Sequence, residues 1–288
     1  MKAKEILYLL GLRPSIKKYG TRRESFVLPT DGRIEYAQWL HPKDYKKVFS
    51  QAAVDELRQF IAPGDVCIDV GAHGGDSALP LALAAGPQGC VLAFEPNPYV
   101  FHVLEENAAL NTDKMRIIAF PFAATIADEN IQFEYSDSGF CNGGRHEGVS
   151  RWTHGHAFNL TVPGRNIERL ISQQHPDLLD RITYIKTDAE GYDAYVLQSM
   201  RGLIEKNRPY IQSEIYKLMP QDQRIMLVEM MRELDYQVKR VDDHLDSASA
   251  PRVTIDNVMK WPNYDVFCQP AEKVVPADLR NKLVANSR

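Results

Sequence analysis

Residues 66–77 read Val66-Cys67-Ile68-Asp69-Val70-Gly71-Ala72-His73-Gly74-Gly75-Asp76-Ser77. The first five form an apolar run broken by one acid, the pattern of a short strand buried on both faces of a parallel sheet. Gly71 then permits a sharp exit from the strand, and Gly75 lets helix and ligand approach the backbone closely. A dinucleotide site would show G-x-G-x-x-G, whose second glycine leaves room for a pyrophosphate on the helix N-terminus. His73 occupies that place. The turn therefore suits a nucleoside ligand without phosphates, because a side chain there can touch adenosine or methionine where it would obstruct a pyrophosphate.

Downstream, strand and helix alternate, which predicts an α/β fold with a doubly wound, mostly parallel sheet and helices on both faces. Ser77 to Ala85 reads as a helix closed by Gly86, and Val91 to Glu95 as the second strand. Glu95 ends that strand roughly two dozen residues beyond Gly71, where an acid can accept hydrogen bonds from both ribose hydroxyls. Asn97 is placed to cap the next helix, with Pro98 at its first position and Phe101, Leu104 and Ala108 on one face. Arg116 to Ala123, Ile182 to Thr187 and Tyr210 to Glu214 read as further strands. A helix is expected from Tyr192 to Leu203 and another from Gln221 to Leu234, with Tyr236 to Val241 and Asp265 to Cys268 closing the sheet.

Upstream, Pro29-Thr30-Asp31-Gly32 separates the β-prone runs Phe26 to Leu28 and Ile34 to Trp39 and predicts a hairpin. A helix from about Tyr45 to Ile61 follows, stopped by Pro63-Gly64-Asp65. Ile6, Leu7, Leu10 and Leu12 form a short amphipathic segment, read as docking on the core or on a second copy ahead of a membrane surface. A homodimer is thus left open. The expected organisation is 1–62 as N-terminal helix, hairpin and helix packing on the core, 63–270 as the ligand-binding domain, and 271–288 as a tail. Residues 136–164 break the rhythm, with six glycines among Arg145, His146, Arg151, Trp152, His154 and His156. This polar insertion lies between strand-like Ile131 to Tyr135 and Phe158 to Val162, and a long insertion on a rigid scaffold is where substrate is read. Trp152 is taken as a hydrophobic plug ahead of a sugar-stacking platform.

With 288 residues, 44% hydrophobic and 25% charged, the chain suits one large core with an elaborated rim. A net charge of −4 gives no concentrated basic footprint for a nucleic-acid backbone, so a small-molecule or glycan partner is expected. The four cysteines show neither zinc nor disulfide spacing, which points to a reducing compartment. Apolar stretches fall short of the ~20 residues that a membrane span needs, and a cytoplasmic protein is expected.

A second constellation is Lys186-Thr187-Asp188-Ala189-Glu190-Gly191-Tyr192, at the carboxyl end of the fourth strand. Ligands of open parallel sheets sit outside such strand ends, near the point where strand order reverses. Asp188 and Glu190 are therefore placed beside the crevice, with Glu214 a neighbour and Lys186 on the same face as a candidate ion-pair partner. The same carboxylates also fit roles as helix caps or salt-bridge partners. A divalent metal held by Asp188, Glu190 and Glu214 is a weaker alternative than hydrogen-bonded carboxylates.

In order and spacing, five segments resemble the FkbM-type S-adenosylmethionine-dependent methyltransferases: DVGAHGGDS from Asp69, AFEPNP from Ala93 to Pro98, the spaced Asn107 and Asn111, IKTDAEGYD from Ile185 to Asp193, and RPYIQSE from Arg208 to Glu214. Together they span roughly Gly64 to Glu214, about half the chain. The resemblance implies a class I methyltransferase (Rossmann-like) fold over 63–270 and S-adenosylmethionine as donor. It also implies O-methylation, usually of a sugar, polysaccharide or polyketide hydroxyl. On matching positions Asp69, Gly71, His73, Gly75 and Glu95 would hold the cofactor, with Ser77, Pro96, Asn97 and Asp188 beside them, while Asp188 and Glu190 would face the transferred methyl. The family often has Asn at the position of His73 and a branched residue at that of Gly74.

Because a sulfonium already activates its methyl group, such a protein chiefly aligns an acceptor oxygen and removes its proton. Asp188 or Glu190 is the expected base, with His156 as a competitor. Rival expectations are a catalytically idle nucleoside-binding scaffold and, more remotely, an NAD-dependent dehydrogenase, which lacks a hydride-transfer set here.

Overall fold

The computed structural model describes residues 15–141, 143–144, 158–241, 244–245 and 249–274. At its start β1 (Thr21–Leu28) and β2 (Gly32–Trp39) pair antiparallel, as the turn chemistry of 29–32 requires. The helix expected from Tyr45 is shorter and begins later, as α1 (Gln51–Leu57), where Ser50 Oγ accepts from the Ala53 N–H at 3.3 Å. Residues 45–49 stay out of it for a long-range reason. The Gln38 side chain accepts from the Lys47 N–H at 3.0 Å and donates to its carbonyl at 2.7 Å, so the polar groups that a helical turn would use are already taken.

The core alternates as its pattern predicts: β3 (Val66–Val70), α2 (Ala78–Ala85), β4 (Cys90–Phe94), α3 (Pro98–Ala108) and β5 (Ile117–Phe120). Every residue of β3 and β4 is buried. Alternate β3 side chains enter opposite layers: Ile68 and Val70 join one apolar cluster and Cys67 the other. Each such buried aliphatic side chain contributes about 1.5–3 kcal/mol. After a departure described below come α4 (Ile167–Gln174), β10 (Ile182–Thr187), α5 (Asp193–Ser199), α6 (Arg201–Asn207), β11 (Tyr210–Ile215), α7 (Gln221–Glu233), β12 (Tyr236–Arg240) and β13 (Tyr264–Pro270). The helix expected over 192–203 is two helices, because buried Met200 leaves helical geometry at φ −109° and ψ 17°.

These strands form a seven-stranded sheet in the order β12-β13-β11-β10-β3-β4-β5, with β13 antiparallel to both neighbours. Strand order reverses between β3 and β10, which pair in parallel, and ligands of such sheets bind at that switch point.

The departure is a second sheet, β6-β9-β7-β8, from β6 (Ala123–Ala124), β7 (Glu129–Tyr135), β8 (Gly143–Gly144) and β9 (Phe158–Arg165). β7 and β9 pair antiparallel from Glu129 with Gly164 to Tyr135 with Phe158, so the two strand-like runs that flank the expected insertion are neighbours in one sheet. His156, Arg145, His146, Arg151, Trp152 and His154 lie outside the described residues, as do the segment from Ile6 to Leu12 and 275–288 of the tail.

Candidate functional site

At the end of β3, Gly71 has φ +79°, and a Cβ there would lie 2.0 Å from the Asp188 carbonyl oxygen. The Asp188 N–H in turn donates to the Val70 carbonyl at 3.0 Å. Lack of a side chain at Gly71 therefore lets the end of β10 close onto the turn, so that both line one cavity. Gly75, at φ +93°, faces Leu104 and Asn107 of α3. It permits helix packing and does not line the cavity.

His73, at φ +49°, lines the cavity, and its N–H donates to Glu95 Oε2 at 3.0 Å. The Asn97 N–H donates to Glu95 Oε1 at 2.8 Å. Two backbone donors thus fix the Glu95 carboxylate at the end of β4, and each oxygen keeps a further acceptor position for a ribose hydroxyl. Burial pushes the Glu95 carboxyl up to about 7. The His73 Nδ1 atom is buried with no hydrogen-bond partner, and burial lowers the imidazole's pKa. Asn97 caps α3, accepting from the Tyr99 N–H at 3.0 Å, and donates to the Phe140 carbonyl at 2.7 Å. Pro96, Asn97 and Ser77 all face the cavity. Asp69 does not; it is fully buried behind Ser77, whose Oγ donates to Asp69 Oδ2 at 2.6 Å.

Across the cavity stand Asp188 and Glu190. Lys186 Nζ lies 3.5 Å from Asp188 Oδ2 and 3.8 Å from Asp69 Oδ1, so the expected ion pair is shared with a second acid. Glu190 sits at φ +52° before Gly191 at φ +101°. The loop is held by fully buried Asp193, which accepts from the N–H groups of Ala189 at 3.0 Å and Gly191 at 3.3 Å. Burial first, then the charges of Asp188 and Asp193, push Glu190 up to about 7. Glu214 is raised to about 8 by burial and then by Asp188 and Glu190, but it lies outside the cavity wall and accepts from Asn263 at 3.2 Å. Among the described residues no group of three His, Cys, Asp or Glu is arranged to hold a metal ion, so Asp188, Glu190 and Glu214 do not form the ligand set considered from sequence.

The cavity measures about 470 Å³. Sequence reasoning missed two of its walls. One is Lys43, Asp44, Tyr45 and Lys47 from the segment between β2 and α1; the other is Phe122, Ile131, Phe133 and Tyr135 from around the second sheet. The His41-Pro42-Lys43-Asp44 run is the one local signal for the first, since a proline there favours a turn. The second had none, because its residues meet the site only through tertiary packing. Asp44, Asp76, Glu95, Asp188 and Glu190 face the cavity against Lys43, Lys47 and Lys186. This surplus of carboxylates, the fixed Glu95 and the unpartnered His73 Nδ1 fit a cationic nucleoside. No helix among the described residues is long and apolar enough to cross a membrane.

The Methyltransferase FkbM domain matches residues 69–241, more than half of the chain. Among solved structures, methyltransferase FkbM from Methylobacillus flagellatus KT is similar at 15% identity and a TM-score of 0.41. That alignment covers 75% of this chain and 51% of the other, so the chain spans about half of that protein's length. A SAM-dependent O-methyltransferase from Thermotoga maritima is similar at 12% identity and a TM-score of 0.42, over 88% of this chain and 79% of that one. No curated protein matches in sequence. The domain match and the glycine turn, Glu95 and Asp188 within it lead to one assignment: the chain belongs to the FkbM methyltransferase family and is an S-adenosylmethionine-dependent methyltransferase.

Proposed function

We propose that the protein transfers the methyl group of S-adenosylmethionine to a hydroxyl of a sugar, glycan or secondary metabolite, inside a reducing compartment. The observation that carries this is the meeting of Asp188 and Glu190 with Glu95 and the glycine turn around one cavity. The cofactor supplies an already activated methyl group. Glu95 would accept from the ribose hydroxyls, and Gly71 with His73 would line the rest of the cofactor's site. Asp188 and Glu190 orient the acceptor hydroxyl, and one of the two takes its proton. Glu190, raised to about 7 by burial and then by its acidic neighbours, has a proton affinity suited to that task near neutrality.

Methyl transfer to a panel of neutral hydroxyl acceptors, run beside calorimetry with the cofactor, tests this. Asp188→Asn and Glu190→Gln are expected to lower turnover about 100-fold or more in at least one case, with cofactor affinity changed little. Equal turnover in both would remove the carboxylates from the mechanism, and a matching loss in His156→Ala would move the base to the insertion. Cofactor binding without transfer to any acceptor would favour the idle scaffold.

A further inference from the structure

Three lysines face the cavity, and two are closely paired. Lys43 lies 3.2 Å from Asp137, and Lys47 lies 3.3 Å from Asp44 and 3.2 Å from Asp76. Lys186 differs, since its contacts at 3.5 Å to Asp188 and 3.8 Å to Asp69 are at or beyond the limit of a hydrogen bond. An ammonium has three donors, so at least two of these remain for a ligand. Behind it, Asp69 is fully buried and its Oδ1 has no hydrogen-bond partner. Strand register fixes this juxtaposition, because Lys186 on β10 pairs with Asp69 on β3 and paired residues point to one face of the sheet. Burial opposes the lysine's charge, but Asp69 and then Asp188 outweigh it and hold the ammonium above its usual range.

We propose that the Lys186 ammonium anchors the α-carboxylate of S-adenosylmethionine. The inference rests on the donor that the family assigns. That ligand carries two cationic groups and one anionic group. The surplus carboxylates of the cavity suit the cations. Its only anion needs an ammonium with open donors beside the glycine turn, and among the described residues of the wall Lys186 is that group. Register sets it against Asp69 at the end of β3 and its acids stand at 3.5 and 3.8 Å, whereas Lys43 and Lys47 sit in closer pairs on the wall between β2 and α1. A carboxylate there completes the ammonium's hydrogen bonds with charge-assisted ones, while buried Asp69 holds the lysine from behind.

The test is calorimetry with S-adenosylmethionine and with decarboxylated S-adenosylmethionine, which keeps the sulfonium and the amine. The wild-type protein is expected to prefer the carboxylate-bearing ligand at least tenfold. The double variant Lys186→Met, Asp69→Asn removes both charges of the buried pair, so neither is left uncompensated. It is expected to bind S-adenosylmethionine at least tenfold more weakly and the decarboxylated ligand about as the wild type does. Thermal melting checks that it folds; should it not, Lys186→Gln is read the same way. A wild type without the preference, or a variant that retains it, overturns the anchor while leaving the donor intact. Binding of neither ligand to the wild type overturns the anchor together with the donor, so the two failures are distinguishable.

Discussion

Gly71 and Gly75 both stand at positive φ, yet their surroundings give them different tasks. A methyl group on Gly71 would meet a backbone carbonyl at 2.0 Å, which cannot move without parting β10 from β3. One on Gly75 would meet a Leu104 methyl at 3.1 Å, the end of a flexible side chain. Gly71→Ala is therefore expected to cost about 3 kcal/mol or more and to abolish cofactor binding, whereas Gly75→Ala should cost about 1 kcal/mol. Urea denaturation of the two variants checks this, and equal losses would refute the close-approach argument. The acids at the end of β10 and β11 make a second prediction at this scale. Burial, followed by repulsion from neighbouring acids with Asp188 foremost, raises Glu190 to about 7 and Glu214 to about 8. Between the unfolded carboxyl range and these values the folded protein binds more protons than the unfolded chain, so stability falls as pH rises from about 5 to 8. Glu214→Gln removes one such charge and should raise the melting temperature at pH 8 by a few degrees, on the order of 1 kcal/mol, with little change at pH 5. A gain equal at both pH values would show that the effect is not electrostatic.

At the scale of elements, α3 is the fastener between the N-terminal hairpin and the core. Asn107, fully buried, accepts from the Ala37 N–H at 2.7 Å and donates to the carbonyls of Ala37 at 3.1 Å and Gly74 at 2.7 Å. Beyond the end of the helix, Asn111 at φ +53° repeats the pairing on Glu35, at 2.8 Å in both directions. Two amides, one on α3 and one just past its end, thus occupy the free edge of β2 as a further strand would, and the first also grips the glycine turn. Asn107→Ala leaves three buried backbone groups without partners and should cost about 2–3 kcal/mol. Asn111→Ala, at a less buried site, should cost about 1 kcal/mol. Chemical denaturation that ranked them the other way would remove the fastener role. The same contacts show what was legible in the sequence. Strands β3, β4, β10 and β11 and the Asn97 cap were readable because apolar runs, strand-end acids and cap residues act locally. The non-helical segment before α1 was not: its apolar spacing is helical, and the Gln38 contact that overrides it comes from another element. Asn107 and Asn111 were noticed as a spaced pair, but their partners on β2 were invisible until the hairpin was placed.

In the whole molecule the cavity is assembled from the strand ends of the core, the segment between β2 and α1, and the second sheet. The first alone was identified from sequence, and the others reach it through contacts distant in the chain. Asp137, for example, ties the base of the insertion to His41 at 3.1 Å and Lys43 at 3.2 Å. A ligand that touches all three walls binds only the folded arrangement, so its binding energy becomes folding energy. At 100 times its dissociation constant S-adenosylmethionine should add about 2.7 kcal/mol, or a rise of roughly 5–10 °C in melting temperature, and NAD should add none. Hydrogen exchange locates the effect. Protection should increase at the amides of His73 and Asn97, which hold Glu95, and also at Lys47, far away in sequence but on the same cavity. A thermal shift with protection confined to His73 and Asn97 would mean that the N-terminal segment stands beside the cofactor without sensing it, and an equal shift with NAD would remove the discrimination assigned to His73.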